Sequence, residues 1–178
     1  MQTKENLQVM IDKARSLATK AHAQQKYGDL PYMTHIEAVV ELLKPYGQDA
    51  MVAGYLHDVL EDSDTDSKEI ESEFGTQIAK CLELLRDDPK ESRRARKIKA
   101  YARLSRVTGA EELALIVAVA DRLANLQACI KGRNVKLLKM YLKELEPFRS
   151  AVYRNGLCDE LWSDLNRAAE QAATIVNQ

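Results

Sequence analysis

Aromatic residues make up only 6% of this 178-residue chain, with one Trp, two Phe and seven Tyr, and there are only seven Gly and four Pro. Sandwiches and barrels need frequent turn residues and strands rich in β-branched and aromatic side chains, so this scarcity excludes an all-β fold. Cysteine is scarce too. Cys81, Cys129 and Cys158 stand apart with no CxxC pair, which excludes a disulfide framework and a zinc ribbon. An excess of one charge is missing: 26 Lys+Arg balance 27 Asp+Glu for a net charge of −1, so bulk electrostatics give no support for a nucleic-acid partner. Long apolar runs are lacking as well. Leu113–Ala120 falls well short of a membrane span, and charges throughout Met1–Lys20 give no secretory leader pattern. The expectation is a soluble, cytoplasmic protein of a reducing compartment.

What the chain does have is 46% hydrophobic residues, enough for a sizeable core, in a length suited to one domain. Leu, Ala, Glu, Lys and Arg dominate, and apolar residues recur at helical spacing. Helices are expected over Glu5–Gln24, Tyr32–Leu43, Asp49–Leu60, a short stretch from Ser67, Thr76–Arg86, Glu91–Val107 and Glu111–Ile130. Another carries Leu137, Leu138, Tyr141 and Leu145 and stops at Pro147, before a last pair reaching Val176. Lys26–Pro31 reads as a turn. With no repeat or linker, residues 1–178 form one all-α bundle of eight to ten helices, its chemistry within 21–130 and packing helices over 134–178. The segment Leu113–Ala120 is apolar nearly all round and belongs at the centre. The even charge hides an asymmetry: Glu61–Glu73 holds seven acids and one Lys, while Arg86–Arg106 holds nine bases and three acids.

All three histidines, His22, His35 and His57, lie in the first third of the chain. His57 opens the run His57-Asp58-Val59-Leu60-Glu61-Asp62 directly after the apolar Val52–Leu56. Helical spacing gives His57 the same face as Glu61, and Asp58 the same face as Asp62, for as long as the helix continues. So many ligating groups at the end of a buried helix are costly without a cation, and imidazole mixed with carboxylate suits Mn, Fe, Zn or Ni. Asp121 closes the apolar run Leu115–Ala120, where an unpaired acid is expensive; a salt bridge to Arg122 would also satisfy it. His35 alone reads as an ordinary surface or capping histidine, and spacing by itself does not close a site.

The order His35, His57-Asp58, Asp121 resembles the HD-domain metal-dependent phosphohydrolases. The branch most similar is the hydrolase domain of the RelA/SpoT homologues with their small stand-alone relatives of the Mesh1 type, which hydrolyse guanosine tetra- and pentaphosphate. The resemblance rests on AHAQQKYGDLPYMTH (Ala21–His35), AGYLHDVLEDSDTD (Ala53–Asp66), FGTQIAKCLELL (Phe74–Leu85), RKIKAY (Arg96–Tyr101) and VAVADRLANL (Val117–Leu126). It implies an HD-domain bundle in which His35, His57, Asp58 and Asp121 hold one divalent ion, typically Mn²⁺. Glu61 and Asp62 match the acidic pair that orients or deprotonates the attacking water. Arg94, Lys97 and Lys99 would offset substrate phosphates, Tyr101 would touch phosphate or sugar, and Asn125 would lie near the nucleotide.

Three departures concern the substrate. QKYGDLPY, before His35, is one residue shorter than the usual loop and lacks the arginine that meets guanine, leaving Lys26 or Tyr27 to substitute by cation–π or stacking contact. Ile36 stands where the long enzymes have Pro, and LLRDD (Leu84–Asp88) stands where that branch often has a VTD-like sequence. The implied reaction is removal of the 3′-pyrophosphate of (p)ppGpp, giving GDP or GTP and pyrophosphate. The alternatives are another nucleotide substrate such as NADPH or a nucleoside phosphate, a nucleotide sensor without turnover, and a helical domain whose basic helix contacts RNA. His22 is read as structural, and Trp162 with Leu157, Leu161 and Leu165 as terminal packing.

Overall fold

A computed structural model describes residues 4–178. Ten α-helices account for most of them: α1 Lys4–Ala21, α2 Met33–Leu43, α3 Gln48–Leu56, α4 Val59–Asp62, α5 Ser67–Phe74, α6 Thr76–Leu85, α7 Arg93–Leu104, α8 Leu113–Lys131, α9 Val135–Val152 and α10 Asp159–Val176. The all-α expectation holds. Its one departure is a small ribbon, β1 Lys26–Tyr27 paired antiparallel with β2 Leu30–Pro31, where a turn alone was expected. Gly28, at φ +62°, takes the first corner of its two-residue turn, a conformation that favours glycine there.

Central α8 buries Leu115, Val117, Val119, Ala120, Leu123 and Leu126 and packs against α2, α3, α6, α9 and α10. By length and composition Gly109–Lys131 could cross a bilayer, but 67% of its most apolar window is buried inside this fold, as in a core helix. Its few half-buried positions include Asp121 and Asn125.

Local chemistry sets the helix ends. Asp66 caps α5 by accepting from the Lys68 and Glu69 amides, and Ser92 caps α7 by accepting from Ala95. Three expectations fail. Pro147 does not end its helix: α9 runs on to Val152, because Pro147 and Lys143, the residue one turn earlier whose carbonyl loses its partner, are both exposed and water can serve that carbonyl. A single long α10 follows where a pair was expected. Nor does the expected Asp49–Leu60 helix stay whole. It breaks at His57-Asp58, with Asp58 at φ −101°, ψ −4°, so α3 and α4 are separate segments. The Cys81, Cys129 and Cys158 thiols are all free and buried.

Candidate metal centre and substrate cleft

The break after α3 turns a helix end into a site. His57 continues the buried face of α3, and its Nδ1–H donates to the Gly54 carbonyl at 2.8 Å, which aims Nε2 at the carboxylates. That Nε2 lies 3.2 Å from Asp58 Oδ2 and 3.8 Å from Asp121 Oδ1, yet it is buried and has no aligned hydrogen-bond partner. His35, on the first turn of α2, places Nε2 3.1 Å from the same Asp121 oxygen. Donor atoms of His35, His57 and Asp58 all lie within 4.8 Å of one another. Two imidazoles and two carboxylates converging around an orphaned nitrogen suit a divalent transition-type ion.

A further layer fixes these groups. Tyr32 donates to Asp58 Oδ2 at 2.6 Å, and Asn125 Nδ2 donates to Asp121 Oδ1 at 2.6 Å. Tyr27 donates to Asn125 Oδ1 at 2.8 Å while its ring stacks on His35, centroids 4.8 Å apart. Burial would lower the His57 pKa, but Asp58 and Asp121 outweigh it and hold it well above the usual value. Burial likewise opposes ionisation of Asp121, yet His35 and His57 keep its carboxyl well below the ordinary range. Asp58 is lowered for the same reason, its His57 partner outweighing burial. The Tyr32 phenol is pushed far up by burial and then by Asp58, so it remains a donor.

Beside this cluster opens a cleft of about 100 Å³ whose walls include Glu61, Asp87, Lys97, Tyr101 and Arg122. Burial and the Asp58 charge raise the Glu61 carboxyl, and Arg96 Nη1 holds it at 3.1 Å. Arg122 is buried; it donates to Glu144 at 3.0 Å and to the Tyr101 hydroxyl at 3.0 Å, and its guanidinium lies against the Tyr141 and Phe148 rings. Arg93 grips the same Glu144 with two bonds, so two cations share one acid behind the cleft.

Residues 14–140 match the family described as HD domain. The chain belongs to the HD-domain family. It is 29% identical over 166 residues to the guanosine-3′,5′-bis(diphosphate) 3′-pyrophosphohydrolase of Aquifex aeolicus, across 91% of this chain but 23% of that protein. It is 30% identical over 122 residues to the protein of that name, MESH1, of Danio rerio, across 63% of this chain and 64% of its relative. It thus spans under a quarter of the first relative and just under two thirds of the second. The solved structure titled "A metazoan ortholog of SpoT hydrolyzes ppGpp and plays a role in starvation responses" shares the fold, with a TM-score of 0.72, 20% identity, and 91% and 94% of the two chains covered.

In this HD-domain bundle the residues expected to hold an ion, His35, His57, Asp58 and Asp121, come together. The acidic pair divides. Glu61 faces the cleft with His57 and Asp58, whereas Asp62, the next residue round α4, turns toward α1, 3.7 Å from His22 Nδ1. Lys97 and Tyr101 line the cleft, but Lys97 is already 2.9 Å from Asp87, and the Tyr101 hydroxyl accepts from Arg122. Tyr27 and Asn125 brace His35 and Asp121 rather than standing free for a base. Lys26 and Arg94 are exposed and line no part of the cleft, and Lys99 pairs with Glu91 away from it. Arg122 does not neutralise Asp121; one residue further round α8, it faces Glu144 instead. Sequence reasoning missed Tyr32, Asp87, Arg96 and Glu144. Tyr32 and Arg96 had a signal, lying inside quoted motif segments, as did Asp87, inside the departing LLRDD; Glu144 had none.

Proposed function

We propose that this HD-domain protein is a metal-dependent phosphohydrolase acting on a phosphorylated nucleotide, with the 3′-pyrophosphate of (p)ppGpp as its leading substrate. The observation carrying this is the buried His57 Nε2, set between two carboxylates with no aligned hydrogen bond, at the mouth of a cleft whose walls include Glu61, Asp87, Lys97 and Arg122. His35, His57, Asp58 and Asp121 would hold the ion, with Mn²⁺ our choice for imidazole mixed with carboxylate. A divalent ion bound there supplies positive charge that polarises a phosphate and acidifies a water.

The chain's own residues do the rest. Glu61 accepts the proton of the attacking water; its raised pKa brings it closer to neutrality, where a base works best. The water oxygen bonds to the phosphorus of the 3′-ester, the ester P–O bond breaks, and the nucleoside 3′-oxygen takes up a proton. Lys97 and the Arg122–Tyr101 pair offset the phosphate charge that the carboxylates would otherwise repel. One observation favours a second reading, turnover of another nucleotide such as NADPH: Tyr27 is committed to His35 and Asn125, and Lys26 is exposed and lines no part of the cleft, so the hairpin offers guanine little.

The deciding assay is Mn²⁺-dependent product release from ppGpp, pppGpp, NADPH, GTP, dNTPs and a generic phosphodiester, with Asp58→Ala as control. Pyrophosphate from ppGpp with the wild type alone is expected. Turnover of a different nucleotide transfers the chemistry to that substrate, and silence across the panel with metal bound overturns the enzyme reading in favour of a sensor.

A further inference from the structure

His22 is the one histidine that the site above does not use, and it is no bystander. Just past the end of α1, it is only 2% exposed. Its Nδ1–H donates to Gln25 Oε1 at 2.6 Å. The same His22 Nδ1 lies 3.7 Å from Asp62 Oδ2, and His22 first, then a Gln25 side-chain hydrogen bond, counter the upward push of burial and of Asp58 on that carboxyl. On the other side, the His22 ring carries the Tyr32 ring, centroids 4.8 Å apart, and Tyr32 donates to Asp58. We propose that His22 and Gln25 are positioning residues: the imidazole fixes the Gln25 amide, and the amide fixes the Asp62 carboxylate beside the metal centre. The inference rests on the hydrolase reading above and gives Asp62, turned away from the cleft, a defined orientation from which to act.

A merely structural histidine would tolerate loss of the Gln25 bond as long as the core stays filled. Gln25→Met keeps the volume and removes both bonds; His22→Leu removes the first donor; His22→Asn restores an N–H at the Nδ1 position. Gln25→Met and His22→Leu are expected to lower kcat about 10–100-fold, the range for outer-shell partners, with KM and metal stoichiometry within about twofold of wild type. His22→Asn should recover to within about threefold, and the double variant should fall no further than the worse single one, as for one shared interaction. A crystal structure of Gln25→Met should show the Asp62 carboxylate turned from its present direction. If His22→Leu does not fold, the half-buried Gln25→Met carries the kinetic arm. The proposal fails if kcat survives in Gln25→Met, if His22→Asn is no better than His22→Leu, if metal is lost in step with kcat, or if Asp62 does not move. Wild-type protein inactive on every nucleotide would instead remove the hydrolase reading, and the crystal structure would still decide whether Gln25 holds Asp62.

Discussion

Each side chain at the centre is held in a charge state by its neighbours. For Glu61, burial and Asp58 raise the carboxyl, and the cleft supplies the place where a water would lie. Glu61→Gln keeps the shape and removes the base, so metal and nucleotide should still bind while turnover falls about 10²-fold or more. Full activity in that variant would move the base elsewhere. His57 and Asp58 make a prediction about pH. The raised His57 value contributes stability that is complete below its usual 6.5 and is lost as pH rises through the folded value. The lowered Asp58 value contributes above its usual 3.8 and is lost as pH falls through the folded value. Metal-free protein should therefore gain most from this pair between those limits. An ion must displace the proton on Nε2, so its affinity should climb, with proton release, as pH rises toward the raised His57 value. Calorimetric titration in buffers of different ionisation enthalpy reads that proton; a flat affinity would contradict the assigned ligand.

At the scale of an element, the break between α3 and α4 decides the site. An unbroken helix would have put His57 with Glu61 and Asp58 with Asp62, as the spacing suggested. With the turn at Asp58, His57, Asp58 and Glu61 line one cleft while Asp62, next round α4, faces α1. Gly54 lies one turn before this break, and its carbonyl holds His57. A Cβ there would meet Leu43 Cδ1 at 2.5 Å and Val40 Cγ2 at 3.3 Å, so α2 and α3 approach this closely only through glycine. Gly54→Ala should cost about 1–3 kcal/mol of stability and weaken metal retention together, checked by thermal unfolding and metal analysis. Apolar periodicity made α8 and its central place legible, and the caps and glycines marked most ends. The fates of Pro147 and of the His57-Asp58 turn were not legible, because each depends on which face other helices cover.

Across the whole molecule, the charge asymmetry becomes a set of cross-links. Basic α7 answers the acidic segment through Arg96 to Glu61, pairs Lys97 with Asp87 of its own stretch, and reaches α9 through Arg93 to Glu144. Asp87 is only 7% exposed, so Lys97 is a structural partner as well as a cleft residue. Lys97→Met should cost about 2 kcal/mol by stranding that carboxylate, and adding Asp87→Asn should return most of it; a fully additive double variant would deny the pairing. In the twice-changed protein KM should remain high, which separates the phosphate role from the structural one. Helical class and central helix were determined by the sequence alone, since they depend on residue type and local period, and the resemblance in motif order named the family and the four residues that converge at the centre. Which way Asp62 turns, what Arg122 neutralises, and whether Lys26, Arg94 or Lys99 reaches the cleft were decided only by the tertiary structure. Those outcomes depend on long side chains finding partners on helices far apart in the chain, where local spacing carries no information about distance.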